Sequence, residues 1–148
     1  MSSAKKQVVA AIIERGGRFL VGKRGLHKAS APGAWCTITG CIEPGETETE
    51  AVAREVLEET GLRVQPIEKI CQSDTRDGTA CMHWWLTAPL DDAPAQLLDD
   101  EHSELRWVTV EEMRRLEPVF LEDVEIFARL VARNDPHSGG SRGSKDLG

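Results

Sequence analysis

Three glutamates at helical spacing, Glu55, Glu58 and Glu59, follow a loop framed by Gly40 and Gly45. Residues three or four positions apart are neighbours on a helix, so these carboxylates share one face. Each like-charged pair at such a spacing costs about 0.2–0.5 kcal/mol, and a bound cation would offset this repulsion. Clustered carboxylate oxygens suit a hard divalent cation such as Mg²⁺ or Mn²⁺. The alternative is an acidic helix face that contacts only solvent.

Capping signals define the helix that would carry these carboxylates. Thr47 is a suitable N-cap, and Glu50, three residues later, completes a capping box. Gly61 is a natural stop, because glycine enters the left-handed conformation without strain. The sequence therefore predicts a helix over Glu48–Thr60. The face predicted to pack inward consists of Val52, Ala53, Val56, Leu57 and Thr60.

The loop and the helix together match a family signature at every fixed position. Residues Gly40–Leu62 fit GX5EX7REUXEEXGU, in which U is an aliphatic residue, and so resemble the Nudix box. The resemblance covers about residues 7 to 132 and implies an α/β protein with the Nudix fold, an α/β/α sandwich around a mixed β-sheet. We expect one Nudix hydrolase domain over residues 1–133. Residues 134–148, rich in Gly, Ser and charge, are predicted to form a disordered C-terminal tail.

The resemblance also implies roles for residues of the box. By matching position, the ligands of a Mg²⁺ or Mn²⁺ ion would be Glu55, Glu58, Glu59 and the carbonyl of Gly40. Glu46 and Arg54 match an ion pair that holds the loop against the helix. Together these residues would bind the metal and the diphosphate of the substrate.

A further glutamate from a late loop often supplies another ligand or the general base in this family. Glu101 lies six residues before Trp107, which is the expected spacing, and Glu104 is the competing residue. One glutamate, Glu58 or Glu101, would accept the proton of the attacking water. The late loop is rich in acidic residues, so simple solvation of its charges is the alternative.

Candidate substrate contacts lie outside the box. Trp35 and Trp85 could stack on a base, a contact that contributes about 1–3 kcal/mol, although either ring could pack in the core instead. Strand alternation places one of Trp84 and Trp85 inward and the other outward. His83, on the same predicted strand, could contact a base or a phosphate, or be structural. Arg24 belongs to a basic stretch that could touch the substrate or merely carry exposed loop charge.

Composition restricts the classes of function. The net charge of −7 argues against nonspecific binding to a nucleic-acid backbone, whereas a small nucleotide can arrive with its metal ion. The four cysteines include no C-x-x-C pair, so neither a zinc ribbon nor a thioredoxin-like redox motif is supported. The apolar run near the N-terminus is too short for a membrane span and lacks a signal-peptide cleavage pattern. We expect a cytoplasmic protein with reduced thiols, and the family resemblance allows a homodimer.

The family resemblance implies a divalent-metal-dependent pyrophosphohydrolase that cleaves a nucleoside diphosphate linked to another moiety. The first interpretation is cleavage of a (d)NTP to its monophosphate and pyrophosphate. The segment Trp35–Gly40 is similar to that of dihydroneopterin triphosphate pyrophosphatases, so this pterin substrate is an alternative. A noncatalytic nucleotide sensor with the same fold is another alternative, but such modules typically lose box glutamates. An isomerase of allylic diphosphates would need a catalytic cysteine motif, which we do not find.

Overall fold

The structure is a computed structural model that describes residues 5–28, 31–98 and 100–134. The strands are β1 (Lys6–Arg15), β2 (Arg18–Arg24), β3 (Trp35–Cys36), β4 (Ile38–Cys41), β5 (Val64–Asp74), β6 (Ala80–Pro89) and β7 (His102–Val108). The helices are α1 (Glu48–Thr60), α2 (Val110–Arg114) and α3 (Leu121–Asn134). Two short strands, β3 and β4, lead directly into the loop of the box.

The strands form one mixed sheet in which β1 is central. β1 runs parallel to β6 and antiparallel to β4, and β5 pairs antiparallel with β6. β2 continues from β1 through the turn at Gly16 and Gly17 and pairs with β3 and β7. The pairing of β4 with β1 aligns Gly40 with Val9. The loop of the box therefore starts from a strand that the centre of the sheet holds in place.

Alternating side chains of β1 separate two apolar layers. Ala10 and Ile12 face α2 and α3, in a layer that also contains Trp84. Val9 and Ile13 face the opposite way, towards α1. Strand geometry produces this alternation, because successive side chains point to opposite faces of a sheet. The sheet is thus covered by helices on both faces, which confirms the predicted sandwich.

Helix α1 has the predicted bounds and caps, but its buried face differs from the prediction. The Glu50 N–H donates to Oγ1 of Thr47, and the Thr47 N–H donates to Oε1 of Glu50, which completes the capping box. Gly61 ends the helix at φ 75°. The prediction that Leu57 packs inward is wrong, since it is 39% exposed, whereas Glu59 is only 4% exposed. The helix is therefore turned so that one glutamate of the box faces the protein interior.

The C-terminal helix passes the predicted end of the domain. α3 includes Asn134, one residue beyond the expected boundary at 133, and the remaining residues of the predicted tail, 135–148, lie outside the described part of the chain. Among the described helices, none is long and apolar enough to cross a membrane.

Candidate active site

Arg54 fastens the loop of the box to helix α1. Its Nε and Nη2 donate to the two carboxylate oxygens of Glu46, at 2.6 and 2.9 Å. Nη2 also donates to the carbonyl of Cys41, at 2.9 Å. This two-point arginine–carboxylate geometry is among the strong hydrogen-bonded pairs of proteins. The Arg54 hydrogen bonds, together with the backbone N–H of Glu43, lower the pKa of Glu46 to about 2.

Glu46→Gln is expected to reduce the loss of stability in acid. Because the Glu46 pKa is lower in the folded protein than its ordinary value of 4.5, the pair stabilises the fold fully above about pH 4.5. That contribution disappears as the pH falls towards 2. Urea unfolding at pH 6 and pH 3 measures the effect. The matched control is Glu43→Gln, because that side chain is 63% exposed and 3.8 Å from Arg54. An identical acid dependence in all three proteins would contradict the prediction.

Two of the predicted metal ligands converge on one cationic atom. Nη1 of Arg54 lies 2.9 Å from Oε1 of Glu55 and 3.2 Å from Oε1 of Glu58. Gly40 is packed so closely against Glu55 that a Cβ at this glycine would overlap the carboxyl group. The backbone at Gly40, just before the loop, is therefore in direct contact with the carboxylate of Glu55.

The third predicted ligand, Glu59, faces the interior next to β7. Its Oε1 lies 3.5 Å from Nδ1 of His102, and both side chains are buried. Within the described ranges, no three acidic, histidine or cysteine side chains are gathered closely enough to form a ready-made metal site. The residues nevertheless fit Mg²⁺ or Mn²⁺, since the donors are carboxylate oxygens and two of them already share a single cationic atom. Coordination of one ion by Glu55 and Glu58 would replace their shared contact with Nη1 of Arg54.

Glu101 lies beside the box, in the loop that leads into β7. Its carboxylate accepts a hydrogen bond from Nζ of Lys28 at 2.8 Å, and this contact lowers its pKa. Its carbonyl accepts the N–H of Gly25 at 3.1 Å. The competing residue, Glu104, pairs instead with Arg106 at 2.7 Å. Glu101 directly precedes the residue that contacts Glu59, and its role as a further ligand or base stays a prediction.

The two tryptophans predicted to contact the substrate have contacts within the protein. Trp35 is buried in the layer beneath α3, and the guanidinium of Arg106 lies 4.7 Å from the centre of its ring. Trp85 is half-buried on the other face of the sheet, where its indole N–H donates to Glu48 at 2.9 Å. These contacts within the protein explain where the rings of Trp35 and Trp85 lie. Stacking of either ring on a base stays a prediction.

His83 also makes contacts on both ring nitrogens. Nε2 lies 2.8 Å from Oε1 of Gln7, and Nδ1 lies 3.0 Å from Nζ of Lys69. The ring is buried, and Glu48 of helix α1 lies 3.3 Å from Nδ1. This arrangement favours the structural alternative for His83, in which the ring links α1 to the sheet.

A second group of polar side chains, at the start of α3, includes one that sequence reasoning missed. Asp123 is buried and accepts the backbone N–H of Thr37 at 2.8 Å. Burial raises its pKa to about 7, and burial likewise raises the pKa of the neighbouring Cys36 thiol to about 12. Arg24 reaches this group, where its guanidinium lies 5.9 Å from the ring of Phe120. In the sequence, Asp123 has only the ordinary appearance of an acid in the first turn of a helix.

Asp123→Asn is expected to remove a destabilising effect of neutral pH. The folded protein binds this proton more tightly than the unfolded chain, because the carboxyl pKa is about 7 rather than 3.8. Stability contributed by the protonated form is therefore lost as the pH rises from about 4 to 7, by at most about 4 kcal/mol. Asparagine retains an acceptor for Thr37. The midpoint of thermal unfolding of Asp123→Asn, relative to that of the wild type, should be higher at pH 8 than at pH 5. The control Glu122→Gln should show no such difference. A parallel pH response in the wild type and Asp123→Asn would contradict this account.

Comparison with known proteins agrees with the fold and with the family resemblance. The NUDIX domain family model matches residues 4–130. The CTP pyrophosphohydrolase of Escherichia coli (strain K12) is 32% identical over 130 residues, covering 85% of this chain and 93% of that protein. The nucleoside triphosphatase NudI of Enterobacter sp. (strain 638) is 28% identical over 124 residues, covering 76% of this chain and 88% of that protein. The crystal structure of a MutT protein from Methanosarcina mazei Go1 is similar with a TM-score of 0.75 at 28% identity, covering 90% and 99% of the two chains. The chain therefore belongs to the Nudix family, hydrolases that act on phosphoanhydride bonds and generally use a divalent metal such as Mg²⁺ or Mn²⁺.

Proposed function

We propose that this protein is a divalent-metal-dependent pyrophosphohydrolase that cleaves a (d)NTP to its monophosphate and pyrophosphate. The observation that carries the proposal is the convergence of Glu55 and Glu58 on one cationic atom, with Glu55 packed directly against the backbone of Gly40. The similarity to a CTP pyrophosphohydrolase and a nucleoside triphosphatase supports a triphosphate substrate.

The box residues supply the oxygen atoms that such a reaction needs. Mg²⁺ or Mn²⁺ would be held by a set of ligands comprising Gly40, Glu55, Glu58, Glu59 and the additional candidate Glu101. When bound, the ion would neutralise charge on the diphosphate and lower the pKa of a bound water. Arg54 donates to Glu46 through Nε and to the Cys41 carbonyl through Nη2, and neither contact uses Nη1. These two contacts would therefore hold the loop against α1 even if Glu55 and Glu58 left Nη1 to bind the ion.

Glu58 is the proposed general base. Its side chain is 57% exposed, so it can reach a water molecule, and it accepts a hydrogen bond from Arg54 at 3.2 Å. Glu101 is the alternative base, but its hydrogen bond from Lys28 lowers its pKa and thus weakens it as a proton acceptor. In the proposed step, water attacks phosphorus in line, its proton passes to the carboxylate, and pyrophosphate leaves with the electrons of the broken P–O bond.

The proposed substrate contacts extend from the box towards the start of α3. Arg24 is the proposed phosphate contact, because it is a half-buried cation at the end of β2, where the loop before β3 begins. Its guanidinium lies 5.9 Å from the ring of Phe120, directly before α3. Lys28, in the same loop, already neutralises Glu101 at 2.8 Å. These two cations offset part of the acidic charge that a polyphosphate would meet at the box.

A substrate panel tests the proposed function. Phosphate release is measured with added inorganic pyrophosphatase, using unmodified and oxidised (d)NTPs and dihydroneopterin triphosphate, with Mg²⁺ or Mn²⁺. ADP-ribose and NADH are assayed with added phosphatase, which reveals their monophosphate products. We expect release that requires the metal and is confined to triphosphates. Preference for dihydroneopterin triphosphate would assign the pterin alternative, and tight nucleotide binding without product over hours would assign the sensor.

A further inference from the structure

A buried contact joins the box helix to the first residue of β7. Glu59 on α1 is 4% exposed and His102 on β7 is 9% exposed. Oε1 of Glu59 lies 3.5 Å from Nδ1 of His102. A carboxylate removed from water to this extent needs polar or charged neighbours, because burial of an uncompensated charge is costly. The imidazole is placed to be one of these neighbours.

Gly22 on β2 provides the space for this imidazole. A Cβ at Gly22 would lie 2.8 Å from Cγ and 2.9 Å from Nε2 of His102, closer than real Cβ atoms approach other atoms. Gly22 is not among the glycines of positive φ, so its backbone conformation is open to any residue. The absence of a side chain at Gly22 is therefore explained by the position of the ring.

The same histidine also adjoins the late loop. His102 directly follows Glu101, whose carbonyl accepts the N–H of Gly25 and whose carboxylate accepts a hydrogen bond from Lys28. The ring thus contacts one candidate ligand, Glu59 on α1, and belongs to the residue that follows another, Glu101, along the chain. Groups that hydrogen-bond a metal-ligating carboxylate orient it and strengthen metal binding.

We propose that His102 is a positioning residue that holds the carboxylate of Glu59 for metal binding. In this proposal, the glycine at position 22 leaves the space that the His102 ring occupies. The inference rests on the proposed function, in which Glu59 is a metal ligand. With hydrogen on Nδ1, the ring attracts Oε1 of Glu59 across 3.5 Å, a separation longer than that of an ordinary hydrogen bond. His102 contacts neither the substrate nor the reacting atoms, and acts through Glu59.

Four variants separate positioning from simple packing. His102→Asn keeps an N–H donor near the place of Nδ1, whereas His102→Leu keeps much of the volume and loses the donor. Gly22→Ala places a methyl group where the His102 ring lies, and so displaces the ring without changing His102 itself. The double variant Gly22→Ala/His102→Leu tests whether both changes act through one contact, since such effects do not add. Ser103→Ala, at the exposed neighbouring position, is the matched control.

The measurement is Mn²⁺ affinity, obtained from the free-ion electron paramagnetic resonance signal, beside the Mg²⁺ concentration that half-saturates CTP hydrolysis. We expect His102→Leu and Gly22→Ala to weaken Mn²⁺ binding by about 10–100-fold, and the double variant to be no weaker than His102→Leu. His102→Asn should restore most of the affinity, and Ser103→Ala should match the wild type. Thermal unfolding without metal reports whether each variant is folded.

The outcomes distinguish positioning of Glu59 by His102 from simple packing of the His102 ring. Wild-type Mn²⁺ affinity in folded His102→Leu would overturn the inference, as would equal losses in His102→Asn and His102→Leu. If His102→Leu does not fold, wild-type affinity in Gly22→Ala overturns it. A wild type that binds Mn²⁺ but hydrolyses no triphosphate refutes the proposed function alone, because the affinity series still tests His102. A wild type that binds no Mn²⁺ refutes both.

Discussion

Glu58→Gln is expected to lower kcat for Mg²⁺-dependent triphosphate hydrolysis by about 10²–10⁴-fold, the usual contribution of a general base. The amide has nearly the shape of the carboxylate but cannot accept the proton of water, and it is a poorer ligand for Mg²⁺. The fold should be unaffected, because the Glu58 side chain is 57% exposed and its hydrogen bond to Arg54 is at the surface. The loss should therefore appear in kcat, with an unchanged midpoint of thermal unfolding.

Glu50→Gln is the matched control for Glu58→Gln. Glu50 lies on the same helix, but its carboxylate accepts the backbone N–H of Thr47 in the capping box, a role that glutamine also fills. Steady-state kinetics of the two variants, made and assayed together, distinguish a specific effect from a general loss of helix charge. Full Mg²⁺-dependent turnover in Glu58→Gln would refute the assignment of Glu58. In that case Glu101→Gln becomes the next test.

Gly40→Ala is expected to reduce hydrolysis by at least about 10²-fold and to raise the Mg²⁺ concentration that the enzyme requires. The added methyl group would overlap the carboxyl group of Glu55, so either this side chain or the loop must move. A displacement of about 1 Å in a catalytic group can reduce the rate by that factor. Backbone strain is not the cause, because Gly40 lies in β4 and is not among the glycines of positive φ.

The control for Gly40→Ala is Cys41→Ala, at the next position of the same strand. Cys41 has an exposed side chain and supplies only its backbone carbonyl to Arg54, so alanine should preserve that contact. Mg²⁺ titrations of activity and of Mn²⁺ binding compare the two variants with the wild type. Equal activity in Gly40→Ala and Cys41→Ala would show that the contact between Gly40 and Glu55 has no part in the reaction.

Local signals in the sequence are sufficient to predict where the box helix begins and ends. Its N-terminus depends on a cap between Thr47 and Glu50, and its C-terminus on the left-handed conformation of Gly61. Each signal acts within one turn of helix, so residue type and spacing specify it without knowledge of the rest of the chain. The ion pair between Glu46 and Arg54 was predictable for the related reason that both residues belong to the same short motif.

The buried face of that helix was less predictable. Periodicity favoured Leu57 as an inward residue, but the structure exposes Leu57 and buries Glu59. Apolar spacing alone ranks a leucine above a glutamate, since it contains no information about a polar partner from another strand. That partner, His102, comes from β7, and its ring has room only because β2 has a glycine at position 22.

Residue types and spacings were thus enough to predict the family, the bounds of the box helix and the acidic residues that the proposed chemistry uses. Burial and long-range contacts depended on the folded chain, which places Glu59 next to His102, Glu101 next to Lys28, and Asp123 on the backbone of Thr37. The difference lies in how far along the chain each interaction reaches. Caps and motif spacings act between near neighbours along the chain, whereas these contacts form only after strand pairing and helix packing bring distant segments together.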